Sequence, residues 1–557
     1  MSFEIKDRDI LARIGRLETK SGVIETPLLL PVINPTIQLI SPKTMENTFD
    51  CKALITNAYI IRKHFQEKAV EKGIHDFLDF TGVVMTDSGA YQILEYGEIE
   101  ITAKEIALYQ ERINTDIATI LDTPTGWTTS RNHAQHTIKE TLKAAKELKK
   151  IKSRDDIVWV GPIQGGQHLN LVAQSAREMG KLPIQIHALG SPTPVMEQYM
   201  FDILVDMILT AKMNLPLERP LHLFGAGHPF MFALAVALGC DLFDSAAYAI
   251  YAREERYMTE YGTTKLNQLS YFTCPCPACV NNSPQDFLDM PETEKQKTLA
   301  QHNLYVSFSE IRRIKQAITE GRLWEHLEMR AHGHPSLLQA LKRLRKYSRY
   351  LEKNSPITKK SGLFFFGSLG QIRPEVVRHR KRLLERYSPP KEGKILVLLP
   401  QTPMKPFHRS KEHQKIVREI EQEFGCKAHN IHVCTYAAPF GIIPTELDEV
   451  YPLSQYEIVT PLDLETMNYA AQQMAKYIMA TDYEKVILFW DTSLWKRKIV
   501  ASCRRACKNR NIPLMIVQLK TPLGQKVFED LATSLEHFFE DVNLNPTTSK
   551  INENKMI

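Results

Sequence analysis

The chain has 557 residues, with 43% hydrophobic and 24% charged residues and a net charge of +6. That composition is typical of a soluble globular protein and excludes wholesale disorder; the length calls for several domains, or fewer if one is a (β/α)₈ barrel. The longest apolar runs fall short of the ~20 residues of a membrane span, and residues 1–13 are charged and lack the apolar core of a secretory signal, so a cytoplasmic protein with no membrane contact is expected.

Apolar runs at residues 26–32, 53–56, 83–86, 117–121, 157–163, 184–189, 221–224 and 241–243 each predict a strand. Stretches at 103–113, 133–151 and 196–213 carry apolar residues at three- and four-residue spacing and predict helices. Alternating strands and helices predict a parallel sheet. Eight units in this length predict a closed (β/α)₈ barrel rather than an open sheet. Asn57, Asp87, Asp122, Gln164, Gly190, Gly225 and Asp244 fall at or just past the strand tips, on the face where this fold builds its active sites. Each alone would read as a turn former or helix cap. Seven on one rim point to a site.

From Tyr271 the alternation stops. Cys274, Cys276 and Cys279 lie within six residues, and His302 follows 23 residues after the last of them. Three thiolates and one imidazole form the Cys₃His set that tetrahedral Zn²⁺ prefers, and four protein ligands leave no open position. One structural zinc per chain is therefore expected. The other six cysteines read as packing residues. A Pro/Asn-rich stretch at 281–291 and a long helical region at 304–351 come next. Residues 342–360 hold eight Lys/Arg against one acidic residue, and a second basic cluster spans 378–382. Both fit solvated helix faces, and both fit a phosphate-contacting patch. Linkers are expected at 356–362 and 388–393. Strands expected at 395–399, 431–434, 486–489 and 514–517 mark a further α/β domain, followed by one helix at 523–539 and a polar tail. The resulting division is 1–355 for the barrel with its zinc-binding insertion, 363–390 for a small basic unit, 393–540 for a smaller α/β domain and 541–557 for a disordered tail.

Two carboxylates are the candidates for chemistry, although either alone would read as a helix cap. Thr86-Asp87-Ser88-Gly89-Ala90-Tyr91-Gln92 offers an acid, an aromatic face and an amide at the third strand, and Leu242-Phe243-Asp244-Ser245-Ala246 offers a second acid at the eighth. Acids facing across a barrel mouth suit glycosyl transfer: one attacks the anomeric carbon, the other handles the proton of the leaving or entering group. These motifs occur in order with Leu121-Asp122-Thr123-Pro124, Pro162-Ile163-Gln164-Gly165-Gly166, Ala188-Leu189-Gly190-Ser191, the segment from His222 to Pro229 and the Cys₃His set. Together they resemble the tRNA-guanine transglycosylases, specifically the archaeal, archaeosine-making branch of this queuosine-related family.

The resemblance implies a transferase that exchanges guanine at position 15 of the tRNA D-loop for 7-cyano-7-deazaguanine (preQ0). It implies Asp244 as the nucleophile that holds the ribose in a covalent intermediate, and Asp87 as general acid/base. Tyr91 would stack on the base; Ser88, Asp122, Gln164 and Gly190 would bind it. Zinc would sit on Cys274, Cys276, Cys279 and His302. The implied partners are tRNA, guanine and preQ0, with a homodimer expected by family analogy.

Residues 393–535 resemble the α/β domain of archaeosine synthases. The family motif Pro-Cys-x₃-Lys-Pro-Tyr-x₂-Ser-x₂-His here reads Pro400-Gln401, Lys405-Pro406-Phe407, Ser410 and His413, with Cys replaced by Gln401 and Tyr by Phe407. Two alternatives to base exchange stay open: an archaeosine synthase acting on preQ0-tRNA through a second site at Lys405, Ser410 and His413, or a non-catalytic tRNA-binding subunit. The small β-rich PUA domain common in the family is not evident after Leu519, and a separate PUA-domain protein is an expected partner.

Overall fold

A computed structural model describes residues 3–90, 101–127 and 129–519. Contacts divide the chain into two units, Met1–Ser361 and Gly362–Ile557.

The first unit opens with an antiparallel sheet of β1 (Phe3–Asp9), β2 (Ala12–Thr19) and β3 (Gly22–Thr26). The apolar-run reading does not expect these strands. β1 reads FEIKDRD, with every second residue exposed, so no continuous apolar run marks it. Eight parallel strands then close a barrel: β4 (Leu28–Ile33), β5 (Ala53–Asn57), β6 (Val83–Asp87), β7 (Ile117–Thr119), β8 (Val158–Ile163), β9 (Ile186–Leu189), β10 (Leu221–Leu223) and β11 (Leu242–Ser245). β11 returns to β4 with Leu242 opposite Leu28.

Alternate residues of these strands fill the interior, among them Ala53 and Ile55, Val83 and Met85, Val158 and Val160, Ile186 and Ala188. Leu17 of β2 and Ile24 of β3 join the same cluster. Because β3 feeds directly into the start of β4, the antiparallel sheet plugs the barrel floor. The outward residues Ala118, Ile157 and Trp159 pack against Ala134, Ile138, Leu142 and Ala145 of helix Arg131–Ile151. Burial on both faces is why these strands read as short continuous apolar runs.

The helical pattern at 196–213 breaks into Thr193–Glu197 and Phe201–Lys212, with Tyr199 between them at φ 55°. The region 304–351 divides into Glu292–Glu320, Leu323–His332, Pro335–Arg343 and Ser348–Asn354. Gly321 ends the first in a left-handed conformation (φ 75°), and Pro335 begins the third. After the barrel, β12 (Arg256–Thr259) and β13 (Gly262–Lys265) form a hairpin, and the 281–291 stretch holds helix Pro284–Asp289.

In the second unit, β14 (Leu363–Phe365) precedes β15 (Ile395–Pro400), β16 (Ile431–Ala437), β17 (Gly441–Pro444), β18 (Tyr456–Ile458), β19 (Lys485–Asp491) and β20 (Leu514–Leu519). Five of these form a sheet ordered β17-β16-β15-β19-β20, and β14 pairs with β18. Residues of helices Leu464–Ala480 and Lys498–Arg510 pack on one face of the larger sheet, and Ile416 and Ile420 of Lys411–Phe424 on the other. Segment 363–390 lies in this unit, where its helix Pro374–Glu385 packs against Leu464–Ala480. The helix expected at 523–539 and the tail at 541–557 lie outside the described residues. No described helix is long and apolar enough to cross a membrane.

Candidate active site and metal centre

The strand tips β5 to β11 carry the expected carboxylates and amides. Asp87 ends β6 beside Asn57, its register partner on β5. Asn57 Oδ1 accepts from Ile60 N (2.9 Å) and so caps the following helix. That fixes its amide, whose Nδ2 donates to Asp87 Oδ2 at 3.0 Å. Gly89 N donates to the same oxygen at 3.3 Å. Burial, and then the charge of Asp244, raise the pKa of Asp87 to about 6.

Asp244 lies on β11. Its Oδ1 accepts from Gly225 N at 3.0 Å. Gly225 adopts φ +68°, a conformation that favours glycine and turns this N–H toward the carboxylate. His222, fully buried on β10, brings Nε2 to 2.9 Å from Asp244 Oδ1 without the alignment of a hydrogen bond.

Asp122 follows β7 and is buried. Burial and the charge of Asp87 push its pKa up to about 7. Gln164, at the tip of β8, donates from Nε2 to Asp122 Oδ2 at 2.5 Å, while its Oε1 accepts from Thr125 N at 2.8 Å. The amide is thereby fixed at both ends. Gly190 packs directly on it: a Cβ there would come within 2.6 Å of Gln164 Nε2 and 2.9 Å of Ile163 O. Ser88 Oγ is fully buried and has no hydrogen-bond partner among the described residues. Asp87, Asp122, Gln164, Gly190 and Asp244 thus form one connected set. Tyr91 lies outside the described residues. The roles of Asn57 and His222 as neighbours of the two acids were not read from the sequence. Each contact runs between strands, and the only sequence signal is a polar residue on an otherwise apolar strand.

Cys274, Cys276, Cys279 and His302 present ligand atoms within 4.8 Å of one another. His302 Nδ1 lies 3.5 Å from Cys276 Sγ and 3.3 Å from Cys279 Sγ. Its Nε2 donates to Met258 O at 2.8 Å, which fixes the tautomer and leaves Nδ1 as the ligating nitrogen. Tyr257 stacks on the imidazole at 3.7 Å and 13°. This donor set can hold a metal ion in a closed, structural geometry.

In the second unit, Lys405 Nζ lies 4.6 Å above the ring of Tyr456, and burial lowers its pKa. Ser410 Oγ accepts from His413 N at 3.3 Å and caps helix Lys411–Phe424. His413 Nε2 donates to Pro400 O at 2.8 Å. Gln401 Oε1 accepts from Ala438 N at 2.6 Å.

A closed parallel barrel with acids on its C-terminal rim and a Cys₃His loop after its last strand is the architecture that the sequence resemblance implies. A family model described as queuine tRNA-ribosyltransferase matches residues 8–336. A tRNA-guanine(15) transglycosylase of Methanocaldococcus jannaschii is 44% identical over 475 residues, covering 84% of this chain and 70% of its own. Proteins of the same name from Sulfolobus acidocaldarius (40% over 490 residues) and Saccharolobus solfataricus (43% over 498 residues) each match 87% of this chain and 94% and 96% of their own. The chain belongs to the tRNA-guanine transglycosylase family and is an enzyme of that class. A second model, a domain of unknown function, matches residues 376–535.

Proposed function

We propose that the protein exchanges guanine at position 15 of the tRNA D-loop for preQ0 by double displacement. The observation that carries this reading is the pair Asp87 and Asp244, acids on different strands of one rim, with the charge of Asp244 helping to raise the pKa of Asp87. Asp244 attacks C1′ of the ribose, and the C1′–N9 bond to guanine breaks as the carboxylate–C1′ bond forms. Asp87, with a pKa of about 6, is poised near neutrality to give the departing base its proton and to take one from the arriving base. Attack by that base at C1′ then releases Asp244. One glycosyl bond is traded for a similar one, so no nucleotide hydrolysis is required. Asp122, Gln164, Gly190, Ser88 and Tyr91 hold the base. Guanine and preQ0 share their pyrimidine edge, so one set of donors and acceptors serves both.

Cys274, Cys276, Cys279 and His302 hold zinc, which ties the loop after the barrel to helix Glu292–Glu320 and takes no part in the exchange. The second unit acts as a tRNA-binding or scaffolding module, a reading supported by Ser410 and His413 being engaged with backbone. The homodimer follows from the family resemblance, and sedimentation at equilibrium tests it. A cytoplasmic location follows from the substrate.

A denaturing gel tests the mechanism. Wild-type protein quenched with acid during turnover should carry covalently attached tRNA, and Asp244→Asn should carry none. An adduct that persists in Asp244→Asn would exclude Asp244 as nucleophile.

A further inference from the structure

The barrel rim carries an aromatic group that the exchange chemistry does not use. Tyr199 lies between the short helix Thr193–Glu197 that follows β9 and helix Phe201–Lys212, at φ 55°, a costly conformation for a non-glycine residue. Its side chain is nonetheless 47% exposed. The ring is held, not free. It stacks on His334 (5.1 Å, 22°) and meets Phe230 at 6.0 Å. His334 is itself fixed, since its Nδ1 accepts from Ser336 N at 3.2 Å where the ring caps helix Pro335–Arg343. A strained backbone and a fixed supporting ring present an aromatic surface to solvent. Apolar packing would bury it instead.

Its place on the rim is next to the nucleophile's sector. Phe230 adjoins His228, whose ring centroid is 4.4 Å away. His228 lies three residues after Gly225, the donor to Asp244. His228 also meets Tyr251 at 6.3 Å, on the helix that follows Asp244, and the Arg256 guanidinium lies 4.1 Å above that ring. The result is a chain of ring contacts, running through the buried Phe230, from Tyr199 to Tyr251 with a cation at its end.

We infer that Tyr199, backed by His334, is a stacking platform for an unpaired nucleobase flanking the exchanged guanine; the inference rests on the base-exchange reading above. Drawing one base out of a folded loop strips its neighbours of their stacking partner. A pre-fixed ring restores that contact and accepts any base, because every base has a π-face. Tyr199 would then be a positioning residue, which acts on substrate binding and leaves the chemical step alone.

The test uses tRNA with 2-aminopurine at each D-loop position flanking the target guanine, bound to the full-length protein. Wild type should quench one of these positions. Tyr199→Leu should leave it bright and raise KM about 5- to 150-fold with kcat nearly unchanged. Tyr199→Phe should restore both, which separates a lost stack from a damaged fold. Equal quenching and equal KM in Tyr199→Leu and wild type would overturn the proposal, as would a loss confined to kcat. The fluorescence readout needs only binding. A protein that quenches at Tyr199 yet exchanges no base would leave the platform standing and count against the proposed reaction.

Discussion

The carboxylate of Asp87 is kept out of the ordinary carboxylate range, at a pKa of about 6, by burial and by the charge of Asp244. The folded-state value lies above the unfolded one, so the native state holds a proton that the unfolded chain releases between about pH 4 and 6. Stability is therefore lost as pH rises through that window. Asp87→Asn removes the penalty. The variant should be about 1–3 kcal/mol more stable than wild type at pH 7.5, with the gain fading below pH 4, while base exchange is lost. Denaturant melts at both pH values check this; a variant less stable than wild type at pH 7.5 would mean the carboxylate is held by favourable contacts. Asp87, Asp122, Gln164 and Asp244 were legible in the sequence because each stands where an apolar run ends. Their couplings were not: Asn57 to Asp87 and His222 to Asp244 are contacts between neighbouring strands, which linear spacing does not encode.

Among the elements, the eight barrel strands were legible because burial on both faces leaves an unbroken apolar run. β1 to β3 were hidden by their alternating charges. What closes the floor is also electrostatic. Arg13 donates to both oxygens of buried Asp241, at 2.7 and 2.8 Å, and Leu221 N donates to it at 2.8 Å. Asp241→Ala strands a buried guanidinium and should cost about 3–5 kcal/mol in a urea melt; a loss under 1 kcal/mol would show the pair to be dispensable. The metal loop makes a separate prediction. Elemental analysis should find one zinc per chain, and stripping it, or introducing Cys279→Ser, should lower Tm by roughly 5 °C or more. Unchanged melting after complete removal would show that the ion does not brace the fold.

Over the whole molecule, the basic stretch 342–360 is partly neutralised by ion pairs within its own unit. Arg343 and Lys346 pair with Asp206 at 2.6 and 3.2 Å, Lys359 with Asp9 at 2.7 Å and Lys360 with Asp7 at 2.5 Å. Charge counting cannot separate such pairs from a free patch, because the acidic partners come from distant segments. Lys342, Arg349 and Lys353 remain exposed. Neutralising these three should lower the salt slope of tRNA binding by about 0.7–0.9 for each lost phosphate contact; an unchanged slope would mark them as solvated surface.

Base exchange through Asp244 is the reaction on which the proposed function depends. Its most direct test is incorporation of labelled preQ0 into an unmodified tRNA transcript by the purified chain, with the modified position mapped by nuclease digestion and mass spectrometry. Label is expected at guanine 15, with one guanine released per preQ0 inserted and no incorporation by Asp244→Asn. Label at another position, or incorporation undiminished in Asp244→Asn, would contradict the proposed reaction.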